Sequence, residues 1–117
     1  MPSYSIKHIG INNPDEPAAQ GLTDLLCHLF GLERARETPT AIFAGTIFEV
    51  MKSYKPETRG VNGHIGLQTD DVEEAMADLA SKGITFQEDT IRRDENGKVN
   101  FVYLEQQFAG FAIHLTT

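Results

Sequence analysis

The 117-residue chain has a single cysteine, Cys27, so it can form no intrachain disulfide and must rely on its core. Basic residues are scarce: ten Lys and Arg stand against seventeen Asp and Glu, a net charge of −7. A chain this acidic is poorly matched to nucleic acid or to an anionic membrane. No apolar run approaches the roughly 20 residues of a membrane span. The opening residues MPSYSIKHIG lack the apolar segment of a secretory signal, so a cytoplasmic location is expected. Low-complexity tracts are missing too. What remains is an ordinary globular composition, 40% hydrophobic and 23% charged, at a length that suits one domain.

Against that plain background two short repeats stand out. His8-Ile9-Gly10-Ile11 returns as His64-Ile65-Gly66-Leu67, and Phe43-Ala44-Gly45 returns as Phe108-Ala109-Gly110. Two repeats in the same order and at similar offsets point to internal duplication. The intervening segments agree in type. After the first, Asp15 can cap a helix with Pro17 in its first turn, Leu22, Leu25, Leu26 and Leu29 as its apolar stripe, and Gly31 as its stop. After the second, Asp70 and Glu73 form a capping-box-like pair, Val72, Ala75, Met76 and Leu79 make the stripe, and Gly83 ends it. Strand patterns follow each helix. Those at 84–93 and 99–105 flank DENGK, whose Asn96-Gly97 is a hairpin signal. The first half has a shorter hairpin, with Pro39 near its turn.

Each half therefore reads β-α-β-β-β. The expected fold class is α+β: two βαβββ modules, about 1–53 and 61–117, forming one curved, barrel-like mixed sheet with helices outside. A polar, glycine-containing linker from Lys52 to Gly63 joins them. Strand alternation then decides which side chains meet. If Ile9 and Ile11 face the helix, His8 and Gly10 face the concave side. The same parity turns His64 and Gly66 inward, then Ile47, Glu49 and Met51, then Ala112, His114 and Thr116. His8, Glu49, His64 and His114 are thus sent into one cavity. A lone inward histidine is more often an ordinary hydrogen-bonded residue, but four convergent residues from a duplicated pattern favour a metal. His28 falls off the helix stripe and serves as a contrast, a solvated histidine. Cys27 belongs at the stripe's edge.

This arrangement resembles the vicinal oxygen chelate superfamily, whose members include glyoxalase I, extradiol dioxygenases, methylmalonyl-CoA epimerase and fosfomycin-resistance proteins. The resemblance covers essentially the whole chain. More narrowly, FAGTIFEVMK, NGHIGLQTDD, DENGK and GFAIHL resemble the glyoxalase-like domain fused to some 2-keto-3-deoxy-6-phosphogluconate aldolases. It implies metal ligands at His8, Glu49, His64 and His114, and a divalent transition metal: Zn, Ni, Fe, Co or Mn. Where glyoxalase I has a last-strand glutamate this chain has His114, so efficient glyoxalase I turnover is not expected.

The implied activity is that of a metal-dependent lyase, isomerase or epimerase. It would chelate the neighbouring oxygens of a small 2-keto or hydroxy acid, with sugar-acid metabolism suggested by the aldolase fusion. A non-enzymatic metal or small-molecule binding domain, or a dioxygenase-like protein, remains the alternative. Glu49 is a candidate acid or base, as are Tyr103 and Glu105, which share the face of Phe101 and either line the cup or lie outward at its rim. Arg34, Arg36, Arg92 and Arg93 are candidates to hold a carboxylate or phosphate, or else serve as surface charge. The expected partners are a small oxygenated substrate and a second copy of the chain, since each module leaves edge strands to be shielded.

Overall fold

The computed structural model describes residues 1–54 and 59–117, so part of the expected linker, 55–58, lies outside them. Ten elements run in the order β1 (Ser5–Ile11), α1 (Glu16–Phe30), β2 (Arg34–Glu37), β3 (Ala41–Ala44), β4 (Phe48–Met51), β5 (Gly63–Gln68), α2 (Val72–Ala80), β6 (Phe86–Arg93), β7 (Val99–Phe108) and β8 (Phe111–Thr116). This is β-α-β-β-β twice. The strands form one mixed eight-stranded sheet in the order β2-β3-β4-β1-β5-β8-β7-β6, an open sheet whose edges are β2 and β6. The two halves meet where β1 pairs antiparallel with β5. On either side of that seam the pairing is parallel, β1 with β4 and β5 with β8.

The helices cover the convex face. Asp15 caps α1 by accepting a hydrogen bond from the Ala18 amide, and Gly31 ends it in the left-handed region. Its buried face differs from the expected leucine stripe. Ala19 and Thr23 are buried, Leu22 and Leu26 pack on Ile42 and Val50, and Leu25 and Leu29 are 52% and 59% exposed. The spacing i, i+3, i+4, i+7 is intact but starts at Ala19. Thr23 hides it from the sequence, because its hydroxyl is satisfied by the Ala19 carbonyl at 2.8 Å. In α2 the cap is Asp71, accepting from the Glu74 amide, one residue after the expected Asp70. Val72 and Ala75 join Val99, Val102, Leu104 and Leu115 in the second core cluster, with Leu67, Met76, Leu79 and Ile113 against it.

The turns explain the repeated glycines. Gly45 and Gly110 close the β3–β4 and β7–β8 connections at φ 66° and 77°, a region that favours a residue without Cβ. In DENGK, Asp94 accepts hydrogen bonds from the Asn96 and Lys98 amides, and Gly97 sits at φ 81°. Asn62 ties the halves together: its amide N–H donates to the Gly110 carbonyl at 2.8 Å, and its carbonyl accepts from Asn12 N–H at 3.1 Å. Among the described residues, no helix is long and apolar enough to cross a membrane.

Ile42 is fully buried beneath α1, so Ile42→Ala should cost about 2–5 kcal/mol of stability. Leu29→Ala, on the exposed face, should change it by about 0.5 kcal/mol or less. Urea unfolding of the two variants checks the helix face: comparable losses would contradict it.

Candidate metal centre

The seam between β1 and β5 sets the geometry. His8 lies opposite Gly66 and Gly10 opposite His64. The parallel neighbours add Glu49 beside Gly10 and His114 beside Gly66. Each glycine therefore lies between two polar side chains that arch over it. A Cβ on Gly66 would stand 2.8 Å from His114 Cε1 and 2.9 Å from His8 Nε2, and one on Gly10 would overlap the His64 ring. That is why β1 and β5 both carry HIG: the glycine makes room for the ring from across the seam.

His8, Glu49, His64 and His114 consequently come together, all from one chain. Glu49 Oε1 is 2.8 Å from His64 Nε2 and 3.7 Å from His8 Nε2, and His8 Nε2 is 3.1 Å from His114 Nε2. The three histidines form a group able to hold a metal ion. Donors about 2.1 Å from a common ion would stand roughly 3.0–3.4 Å apart, and the observed separations bracket that range. His114 is 3% exposed, and its Nδ1 is buried without a well-formed hydrogen bond. The protonation states also fit. Burial pushes His114 down to about 3, helped by His8 and His64, and burial likewise lowers His8. Both imidazoles are neutral at pH 7, the form that lends a lone pair to a metal. Burial pushes the Glu49 carboxyl upward, but the His64 hydrogen bond and the nearby imidazoles outweigh it, so Glu49 stays ionised.

The other expected residues separate. Tyr103 stands against the cluster, its ring 5.2 Å from that of His114, with Phe101 at 4.6 Å. Burial raises the Tyr103 phenol, which stays protonated. Glu105 does not join them. It is exposed and lines neither cavity beside the cluster, the rim position that was its alternative. Arg34 is held by Asp24 at 2.9 Å and Glu37 at 3.3 Å, and Arg93 donates to the Gly97 carbonyl. Arg36 and Arg92 instead border the cavities that flank the cluster. Sequence reading did not single out Lys7, which lines the first cavity beside His8. The signal was weak, because strict alternation would turn Lys7 away from His8. His28 is exposed on α1, as expected.

No protein-family model matches this chain, and no curated protein matches it in sequence. Solved structures do. A Streptomyces coelicolor methylmalonyl-CoA epimerase variant bound to 2-nitronate-propionyl-CoA aligns at TM-score 0.63 and 21% identity, covering 97% of this chain and 93% of that one. The methylmalonyl-CoA epimerase from Mycobacterium tuberculosis aligns at TM-score 0.64 and 15% identity over 95% and 85% of the two chains. A hypothetical protein from Bacillus halodurans C-125 aligns at TM-score 0.64 and 16% identity over 97% and 94%. The chain has the vicinal oxygen chelate fold. The four clustered residues sit on the four central strands, two on each side of the seam.

Gly10→Ala keeps all four clustered residues but pushes the His64 ring off its place. The His64 ring resonances should move in a ¹H–¹³C spectrum, while those of exposed His28 stay. An unchanged His64 signal would refute the packing role of Gly10.

Proposed function

We propose that the protein is a metal-dependent isomerase-type enzyme, an epimerase acting beside the carbonyl of a small acid with vicinal oxygens. One observation carries this reading: three histidines and one carboxylate from pseudo-equivalent strands converge at 2.8–3.7 Å. The fold match to methylmalonyl-CoA epimerases, including one bound to methylmalonyl-CoA, supports the reaction class. His8, Glu49, His64 and His114 would hold a divalent transition metal, one of Zn, Ni, Fe, Co or Mn. When bound, such an ion supplies Lewis-acid polarisation of a carbonyl oxygen.

The remaining chemistry is assigned to side chains of this chain. Epimerisation removes a proton from one face of a carbon and returns one to the other, so it needs groups on two sides. Glu49, ionised and on β4, accepts the proton at a carboxylate oxygen. Tyr103, on β7 across the cluster, offers a neutral O–H to the opposite side. Glu105 has no part in this scheme. We place the substrate among small 2-keto or hydroxy acids, sugar acids included on the aldolase-domain resemblance, and the protein in the cytoplasm.

Metal analysis and proton exchange test the proposal together. Purified protein should carry about one ion per chain, lost in His64→Ala and kept in His28→Ala. In deuterium oxide, proton NMR should show exchange at the carbon beside the carbonyl of a substrate drawn from a panel of 2-oxo and 2-hydroxy acids. Glu49→Gln should slow it by about 10²-fold or more. Metal without exchange on any member would favour a binding protein, and equal metal in the two histidine variants would sink the site.

We propose a homodimer as well. Leu25, Leu29 and Phe30 expose a contiguous apolar end of α1, with Phe30 68% exposed, and both sheet edges are open. Sedimentation velocity at micromolar concentration should show twice the chain mass, and Leu29→Glu should return the monomer. A wild-type monomer refutes the dimer.

A further inference from the structure

We infer that the cavity beside the cluster, where Lys7 and Arg36 lie, is an anion subsite, and that the substrate carries a second negative group, carboxylate or phosphate, beyond its vicinal oxygens. This rests on reading the cluster as the metal site. The argument begins with charge. Seventeen acidic residues surround ten basic ones, so most cations find partners. Arg34, Lys52, Arg59, Lys82 and Lys98 each pair with a carboxylate. Among the described residues, Lys7, Arg36, Arg92 and Arg93 do not, and Arg93 is engaged by the Gly97 carbonyl. The remaining three all border the two cavities that flank the cluster.

Their backbone positions agree. Lys7 falls in the register shift between Ile6 and His8, Arg36 follows the shift after Arg34, and Arg92 lies between shifts in β6. Such irregularities re-aim side chains, which is how Lys7 comes to share a cavity with its neighbour His8. The first cavity, about 570 Å³, is also bordered by Glu49 and Thr46. There the Arg36 guanidinium lies 4.4 Å above the Phe43 ring, a stacking that fixes its plane and leaves its N–H groups for an anion. The second cavity, about 240 Å³, is the weaker choice: Arg59 there is already paired with Asp89 at 3.6 Å, and no cluster residue borders it. An acid whose head reached the cluster would extend its tail toward Lys7 and Arg36.

Isothermal titration of the metal-loaded protein with pyruvate, 2-oxoglutarate and 3-phosphonopyruvate tests this. All three share a 2-oxo acid head, and only the last two carry a second anion. At least one of these should bind about tenfold more tightly than pyruvate, and the tighter one separates carboxylate from phosphate. In Arg36→Gln that advantage should fall to about twofold or less, with pyruvate affinity and metal content unchanged. Arg34→Gln should keep it. Equal affinity for all three, or an advantage that survives Arg36→Gln, overturns the subsite. If the protein takes up no metal, the reading of the cluster fails, and the subsite is tested alone. Succinate or inorganic phosphate added to metal-free, ¹⁵N-labelled protein should then shift the amides of Lys7, Arg36 and Thr46; no shift there overturns it.

Discussion

Ile9 of β1 lies opposite Ile65 of β5, and that one pairing fixes the register of everything around the cluster. One residue along in each direction it sets a side chain of one strand over the other: His8 near Gly66 and His64 over Gly10. A slip of one residue would turn His8 and His64 toward the helices. The parallel neighbours then bring Glu49 and His114 to the same glycines. The outer strands and the helices support this arrangement. They supply the apolar convex face that β4 and β8 need, with Val50 and Leu115 fully buried beside Glu49 and His114 in sequence.

Much of this was legible in the sequence because period two is a strong rule for short strands. The HIG and FAG repeats gave the element order, and alternation brought together His8, Glu49, His64 and His114 without any knowledge of packing. The errors have local causes. Thr23 satisfies its own hydroxyl within α1, so a polar residue occupies the buried face and the leucines misreport it. Asp70 and Asp71 are adjacent, and only backbone angles show which one caps. Lys7 was passed over because a register shift in β1 breaks the alternation beside His8, and such a shift leaves little trace in residue type.

The two faces of the sheet solve different problems. On the convex side burial is apolar and needs no partners. On the concave side, three imidazoles and a carboxylate are brought out of bulk water, where each unpaired polar atom costs free energy. They are partly reconciled by contacts with one another, Glu49 with His64 and His8 with His114. The buried Nδ1 of His114 shows that the reconciliation is incomplete. Tyr103 and Phe101 shield that ring from one side, so the cluster opens toward the cavity on the Lys7 and Arg36 side.

Glu49 and His114 occupy equivalent places on the two sides of the seam, yet one is an anion and the other a neutral ring. A cluster with the same residue at both places would be degenerate, offering a bound molecule two interchangeable poses related by exchange of the two halves. The mismatch lifts that degeneracy. It gives the cavity a head and a tail, an anionic flank on one side and an imidazole flank on the other. Any molecule held there would be met by two chemically different sides.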